Sequence, residues 1–297
     1  MAGGTSLTEL TRTATTIRED VITSLLAAGS GHSAGPLGMA DVFTALYFSI
    51  ANISPETRSA PNRDRITLSN AHICPVLYAT LANRGYFPRE ELKTLRKLGS
   101  RLQGHSNNHS LPEIPIETCG GPLGQGLSQA IGFALASRNH DLRNQAAKNT
   151  DLPTWHTWSL LSDGELDEGQ NWEAIMMAGK LNLRELTMFI DRNNIQIDGF
   201  TEDIMPLEPL ADKLRAFNWT VLEVDGHNLR EIIDAANQAR ATYENPTAIV
   251  CHTIPGKGVG FMENRFEWHG KPPNAEEAKV ALTELRTFAG SIQSEHE

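Results

Sequence analysis

The stretch HTWSLLSDGELDEGQNW, residues 156–172, indicates the fold class, because an apolar run ends at Asp163-Gly164 and a helical pattern begins directly after it. The run before Asp163 has the length and the continuous apolar character of a strand that is buried on both faces. The helical pattern lies in EGQNWEAIMMAGKL, residues 168–181, and a second apolar run, ELTMFID at 185–191, follows. The order strand, helix, strand predicts two parallel strands joined by a crossover helix.

The same alternation continues along the chain. Further strands are predicted at 63–69, 219–225 and 247–253, and helices at 6–28, 41–51, 72–85, 123–139, 206–217 and 229–240. Such alternation indicates an α/β fold, a parallel sheet flanked by helices on both faces. No linker rich in Pro, Gly or Ser divides the chain, so we expect one domain over residues 1–297 with a tail that becomes polar at SEHE.

The composition excludes several classes of function. Lys and Arg number 26 against 36 Asp and Glu, a net charge of −10 without a basic stripe, so we expect no nucleic acid and no membrane as partner. The cysteines, Cys74, Cys119 and Cys251, lie far apart, which argues against a disulfide scaffold or a zinc site. Neither a signal peptide nor a membrane-spanning run is recognisable, and we expect a cytoplasmic protein.

Two predicted strands end in oxygen ligands. Asp163 ends one strand, and the next predicted strand is followed by Arg192-Asn193-Asn194. Parallel neighbours lie about 4.8 Å apart, so Asp163 and Asn193 can converge on one small ion, and Mg²⁺ prefers such a set of few carboxylates and other oxygens. The alternative is purely structural, because Asp-Gly is common in turns and acids favour the first turn of a helix.

Several segments together resemble one family. SDG at 162–164 followed by Asn193-Asn194 is similar to the fingerprint of thiamine diphosphate enzymes. Five blocks in a fixed order resemble transketolase: SGHSAGPLGMAD at 30–41, LSNAHICPVLYATL at 68–81, GGPLGQGLSQAIGFALA at 120–136, DRNNIQIDG at 191–199 and KGVGFMENRFEWHG at 257–270. The resemblance spans nearly the whole chain but only the N-terminal, diphosphate-binding domain of the family, as in the N-terminal subunit of a split transketolase.

The resemblance implies a cofactor, a metal ion and residues that bind them. The cofactor is thiamine diphosphate and the metal is Mg²⁺, although Ca²⁺ or Mn²⁺ would also suit oxygen ligands. The implied metal ligands are the side chains of Asp163 and Asn193 and the backbone carbonyl of Ile195. The implied cofactor-binding residues are His72, Gly121, Leu123, Gly164, Asn193, Ile197 and His269.

The resemblance also assigns roles to further polar residues. His32 and His269 resemble residues that contact the sugar donor and move protons, which suits an imidazole that titrates near neutrality. His105 resembles a residue that contacts donor hydroxyls, but SNNH follows it where the family commonly has Pro, so His109 is an alternative. Glu168 resembles a residue between two active sites, whereas we expect Glu165 and Asp167 to cap or solvate the following helix.

The expected reaction is transfer of a two-carbon ketol unit from a ketose (phosphate) to an aldose (phosphate), as in pentose phosphate metabolism. The pyrimidine-binding and C-terminal domains of the family are absent, so the resemblance implies a complementary C-terminal subunit, an α₂β₂ assembly and no activity of this chain alone. The alternatives are a subunit of another thiamine diphosphate enzyme, of the 2-oxo acid synthase or decarboxylase type, and a non-catalytic cofactor-binding partner. A nicotinamide oxidoreductase is disfavoured because Gln129 occupies the third Gly position of G-x-G-x-x-G.

Overall fold

A five-stranded parallel sheet forms the centre of the computed structural model, which describes residues 5–147 and 151–287. The strands lie side by side in the order β1-β2-β3-β7-β6, and each neighbouring pair is parallel. Their bounds are β1 (Arg65–Leu68), β2 (Thr157–Ser162), β3 (Leu186–Arg192), β6 (Thr220–Asp225) and β7 (Thr247–His252). The edge strand β6 precedes β7 in the sequence, but β7 lies between β3 and β6 in the sheet.

Helices cover both faces of the sheet. The described helices are α1 (Leu7–Ala28), α2 (Ala34–Gly38), α3 (Ala40–Ala45), α4 (Cys74–Asn83), α5 (Gly126–Ala146), α6 (Gly169–Lys180), α7 (Thr201–Ile204), α8 (Leu210–Ala216), α9 (Leu229–Ala241) and α10 (Ala275–Thr287). Helices α1 to α4, α9 and α10 pack into one apolar core, and α5, α6 and α8 pack into the other. Within the described part of the chain, no helix is both long enough and apolar enough to cross a bilayer.

Strands β2 and β3 are buried throughout, and their side chains alternate between the two cores. Trp158 and Leu160 of β2 and Phe189 of β3 join the core of α1. Leu161 and Ile190 point to the opposite face and join the core of α5 and α6. This alternation confirms the predicted parallel sheet with helices on both faces.

Both ends of α1 are fixed by its sequence. The Ser6 hydroxyl accepts a hydrogen bond from the Glu9 backbone at 3.3 Å, and the Glu9 carboxylate accepts one from the Ser6 backbone at 2.9 Å. This capping box begins the helix. Gly29, with a left-handed φ of 67°, ends it and directs the chain towards Gly31 and His32.

Three predicted helices have different bounds in the structure. The one predicted from 123 begins at Gly126, because Gly121 and Gly124 have φ values of 140° and 82° that a helix does not accept. The one predicted over 41–51 changes to a π-helical turn at Leu46–Ile50. The one predicted over 206–217 starts only after the cis peptide bond Glu208-Pro209.

The prediction of a tail after the last strand was wrong for residues 275–287, which form α10. Ala278, Ala281 and Leu285 are buried in the same core as α1. The two short strands β4 (Ile195–Gln196) and β5 (Gly199–Phe200) were also not predicted, and they form a hairpin after β3. Residues 1–4, 148–150 and 288–297, including SEHE, lie outside the described residues.

Candidate active site

The carboxylate of Asp163 lies at the carboxyl edge of the sheet and joins the ends of β2 and β3. It is fully buried, and its Oδ1 accepts a hydrogen bond from the Gly164 backbone at 2.7 Å. Its Oδ2 accepts hydrogen bonds from the Asn194 backbone at 2.7 Å and from Arg192 Nη1 at 3.0 Å. The structure thus brings the Asp163 carboxylate next to the Asn193-Asn194 peptide.

The amide of Asn193 is held by its neighbours at the end of β3. Its Nδ2 donates to Asp191 Oδ2 at 2.8 Å, and its Oδ1 accepts from the Ile195 backbone at 3.0 Å. The carbonyl oxygen of Ile195 lies 3.8 Å from the position that a Cβ on Gly164 would occupy. The Asp163 carboxylate and the Ile195 carbonyl therefore both lie close to Gly164.

The carboxylates at this edge are electrostatically unfavourable as charged groups. Burial raises the pKa of Asp163 to about 6, although the nearby Arg192 guanidinium opposes the shift. Burial also raises the pKa of Asp191 to about 7, and the neighbouring charge of Asp163 adds to the effect. A cation placed here would stabilise the charged forms.

The donor set suits a hard divalent cation. A carboxylate offers about four acceptor positions and Asp163 uses three of them, so Oδ1 keeps one free. Among residues 5–147 and 151–287, no group of three or more His, Cys, Asp or Glu could hold a metal. A metal held at Asp163 would therefore be completed by amide, backbone or cofactor oxygens, which is how Mg²⁺ is usually bound.

Three histidines form a cluster. His32 follows the end of α1, His72 lies in the turn Ala71–Ile73 after β1, and His269 follows the turn Phe266–Trp268. The ring centroids are 4.8 Å apart for His32 and His72, 5.3 Å for His72 and His269, and 5.5 Å for His32 and His269. Residues that are distant in the sequence are thus brought together as a group of imidazoles.

These imidazoles are neutral near neutral pH. Burial lowers the pKa of His32 to about 4 and that of His72 well below its usual value, and positive charge on neighbouring histidines would lower both further. Burial also lowers the pKa of His269. The Nδ1 atom of His32 is buried and has no hydrogen-bond partner among the described residues. A neutral ring of this kind can accept a proton from a bound hydroxyl.

His105 and Arg96 lie beside the cluster. The Cγ atom of His105 is 4.0 Å from the position of a Cβ on Gly121, and a positive charge on His105 would lower the pKa values of His32 and His72. The Arg96 guanidinium lowers the pKa values of His32 and His105 by its charge. The structure therefore places His105 near the cluster, and both His105 and the alternative, His109, are exposed.

Two apolar side chains near these segments are exposed. Leu123 is 36% exposed and Ile197 is 67% exposed. Leu123 lies between Gly121 and Gly124, and Ile197 lies in the turn between β4 and β5. Both positions leave apolar surface that a planar ring system could cover.

The prediction that Glu165 caps or solvates a helix was wrong. Glu165 is only 1% exposed, and its carboxylate accepts hydrogen bonds from the Ser69 hydroxyl and the Gly124 backbone. Asp167, by contrast, is exposed as expected. The contacts of Asp191 and Arg192 with Asn193 and Asp163 were also missed, although both residues stand in the segment DRNN that marked the site.

Comparison with known proteins identifies the family. Residues 10–289 match the family model described as transketolase, thiamine diphosphate binding domain. The chain belongs to the transketolase family. This finding confirms the resemblance stated from the sequence blocks.

Two relatives match this chain over nearly their whole length. It is 42% identical over 277 residues to the 6-deoxy-6-sulfo-D-fructose transketolase subunit SqwG of Clostridium sp. (strain MSTE9), covering 93% of this chain and 96% of the relative. It is 35% identical to an apulose-4-phosphate transketolase subunit of Phocaeicola vulgatus, covering 94% of each chain. These relatives confirm the prediction that this chain resembles one subunit of a split transketolase.

Full-length transketolases match over part of their length only. Transketolase 2 of Escherichia coli is 36% identical, and the match covers 92% of this chain but 40% of that protein. A crystal structure of a transketolase variant from Pichia stipitis superposes with a TM-score of 0.86 and 33% identity, covering 93% of this chain and 40% of that chain. The chain thus spans about two fifths of the full-length transketolases that it matches.

Proposed function

We propose that this chain is the thiamine diphosphate- and Mg²⁺-binding subunit of a two-chain transketolase. The observation that carries the proposal is the buried Asp163 carboxylate, which joins the ends of β2 and β3 by accepting a 2.7 Å hydrogen bond from the Asn194 backbone, directly after Asn193. Cofactor sites of open parallel sheets lie at this carboxyl edge. The structural alternative, a simple Asp-Gly turn, does not explain why the buried Asp163 lies beside a second buried acid, Asp191.

The metal and the diphosphate would be held by the residues at the ends of β2 and β3. Asp163, Asn193 and the carbonyl of Ile195 would bind Mg²⁺, and His72 would hydrogen-bond the diphosphate. Gly164 would leave room for a phosphate oxygen because it has no Cβ. Gly121, Leu123 and Ile197 would border the ring system, since the last two expose apolar surface. When bound, thiamine diphosphate supplies the carbon nucleophile that carries the two-carbon unit.

The histidines of the cluster would orient the sugar and exchange its protons. His32, His105 and His269 would hydrogen-bond the carbonyl and hydroxyl groups of the donor. Because burial keeps the rings of His32 and His269 neutral, each can accept a hydroxyl proton and return it at a later step. The unpartnered Nδ1 of His32 would receive one of these hydrogen bonds.

A second chain would complete the active site. The match to two fifths of the full-length transketolases supports a complementary C-terminal subunit that carries the remaining domains, and the names of two relatives include the word subunit. We propose that residues 1–297 form one domain, that two copies of each chain form an α₂β₂ assembly, and that the assembly works in the cytoplasm. The chain alone would be inactive.

The substrate would be a ketose that carries an acidic group. The names of the relatives specify a sulfonated sugar in one case and a sugar phosphate in the other, and both are anions. An aldose (phosphate) would accept the two-carbon unit, as in pentose phosphate metabolism. Comparing donors that end in a phosphate, a sulfonate or a hydroxyl group would define which group is recognised.

Reconstitution tests the proposal directly. The chain is mixed with a complementary C-terminal transketolase chain, Mg²⁺ and thiamine diphosphate, and ketol transfer is followed with each chain alone as control. We expect transfer only in the mixture, and light scattering should give the mass of two copies of each chain. Activity of this chain alone would contradict the two-chain proposal, and a reconstituted complex that does not bind thiamine diphosphate would contradict the cofactor assignment.

A further inference from the structure

The carboxylate of Glu165 joins three segments of the candidate site. Glu165 lies in the turn Gly164–Asp167 after β2. Its Oε1 accepts a hydrogen bond from the Gly124 backbone at 2.8 Å and a second one from the hydroxyl of Ser69, the residue that follows β1. One buried oxygen therefore connects the end of β1, the turn after β2 and the glycine-rich segment before α5.

The glycine-rich segment, residues 120–126, is fixed by these contacts. Ser69 Oγ also accepts a hydrogen bond from the Gly126 backbone at 3.0 Å. A Cβ added at Gly126 would lie 2.5 Å from the Cβ of Ser69, so the two backbones approach as closely as glycine allows. Leu123, which exposes apolar surface, stands inside this segment, directly before Gly124.

The second oxygen of Glu165 shows that the contact is not optimised for stability alone. Oε2 is buried and has no hydrogen-bond partner among the described residues. A buried carboxylate with one unbonded oxygen is destabilising compared with an apolar side chain of similar size. Asn171 does not supply a hydrogen bond to Oε2, because its amide nitrogen donates to the backbone oxygen of Glu165 at 2.6 Å.

We propose that Glu165 is a positioning residue that holds residues 120–126, and with them Leu123, in the conformation that receives the ring system of thiamine diphosphate. The inference rests on the proposed function, because it assumes that this cofactor binds at the carboxyl edge. Glu165 acts through the backbone of Gly124 and through Ser69, and it does not touch the metal ligands. It should therefore affect binding of the ring system more than binding of the diphosphate.

The test compares two probes on the reconstituted complex. Thiamine diphosphate and inorganic pyrophosphate, each with excess Mg²⁺, are titrated by calorimetry into complexes that contain Glu165→Ala, Glu165→Gln or wild-type chain. Glu165→Ala should weaken thiamine diphosphate binding by about tenfold, the loss of one to two hydrogen bonds to a charged group, and leave pyrophosphate binding unchanged. Glu165→Gln keeps one acceptor oxygen for Gly124 and should bind the cofactor more tightly than Glu165→Ala does.

Two further variants keep the test decisive. Ser69→Ala removes part of the same connection with a smaller change, so it replaces Glu165→Ala if that variant does not fold. Glu173→Gln, an exposed acid on α6, is the matched control and should bind both probes as the wild type does. Amide hydrogen exchange at Gly124 and Gly126 should be faster in Glu165→Ala than in the control.

The outcomes separate the inference from the proposed function. Equal affinity of wild type and Glu165→Ala for thiamine diphosphate, or an equal loss for both probes, overturns the positioning role and leaves the proposed function intact. A wild-type complex that binds pyrophosphate but not thiamine diphosphate overturns the proposed function.

Discussion

Two buried aspartates lie at opposite edges of the same sheet, and they differ in how completely they are bonded. Asp64, at the amino edge, accepts four hydrogen bonds: from the backbones of Asn52 at 2.9 Å and His156 at 3.1 Å, from Trp158 Nε1 at 3.0 Å and from Arg240. Three of these bonds reach Oδ2 and one reaches Oδ1, so both oxygens are bonded. Asp64 thus forms a structural contact between β1, β2 and α9.

Asp163, at the carboxyl edge, is also buried but accepts fewer hydrogen bonds. It accepts three, and its pKa is raised to about 6 by burial. It also lies beside a second buried acid, Asp191, whose pKa is raised by burial and by the charge of Asp163. In the proposed function, a bound cation would stabilise both carboxylates in their charged forms.

Replacing Asp163 should have the largest effect on binding. In the reconstituted complex, Asp163→Ala should weaken thiamine diphosphate binding in the presence of Mg²⁺ by more than about 100-fold, because loss of a direct ligand exceeds the usual effect of losing a residue behind it. Calorimetric titration measures the change. Unchanged affinity would mean that Asp163, like Asp64, has only a structural role.

Replacing Asp64 should give the opposite result. Asp64→Ala removes an acceptor from several buried donors and should lower the free energy of unfolding by about 2 kcal/mol, a modest value because Arg240 is 38% exposed. Denaturant titration gives this value. Cofactor affinity of the folded variant should equal that of the wild type, and a large loss of affinity would show that the two edges are coupled.

His156, beside Asp64, should contribute to acid sensitivity without affecting the active site. Burial lowers its pKa to about 4 from the ordinary 6.5, with Asp64 opposing the shift and Arg240 adding to it. The folded-state pKa is depressed, so the neutral ring favours the folded state, and this stability is present above pH 6.5 and is lost as pH falls towards 4. His156→Gln should make the decline shallower by about 1 kcal/mol per pH unit in denaturant titrations between these pH values. An equally steep decline would show that the pKa of His156 is the same in the folded and unfolded states.

Arg96 should give the smallest and most local effect. Arg96→Met keeps a long side chain and removes the charge that lowers the pKa values of His32 and His105. Both pKa values should rise, while that of His156 at the opposite edge stays the same. Proton NMR titration of the histidine rings measures all three, with Lys93→Met as the exposed control. A shift at His156 alone would contradict the assignment of Arg96 to the carboxyl edge.

The sequence predicted the parts of the fold that depend on local periodicity. The strands were recognisable because runs such as those around Leu160 and Phe189 are apolar on both faces, and Asp163 was recognisable because it ends such a run. Helix α10 was missed because two of its three buried positions are alanines, Ala278 and Ala281, which give a weak apolar pattern.

Tertiary contacts account for what the sequence did not predict. Glu165 has the appearance of an acid in the first turn of a helix, but its partners, Ser69 and Gly124, lie far from it in the chain. The placement of β7 between β3 and β6 is likewise set by packing and is not encoded in any local pattern. Family resemblance supplied the roles of the histidines, which no spacing in the sequence would have indicated.

The position of β7 in the sheet constrains the order in which the nascent chain can mature. While the ribosome is still synthesising the segment before Thr247, β3 and β6 both lack the neighbour that β7 later provides. Open strand edges promote association with other chains. Because β7 is synthesised late, β3 and β6 stay unpaired on one side until it has been inserted. A chaperone would be most useful before that insertion.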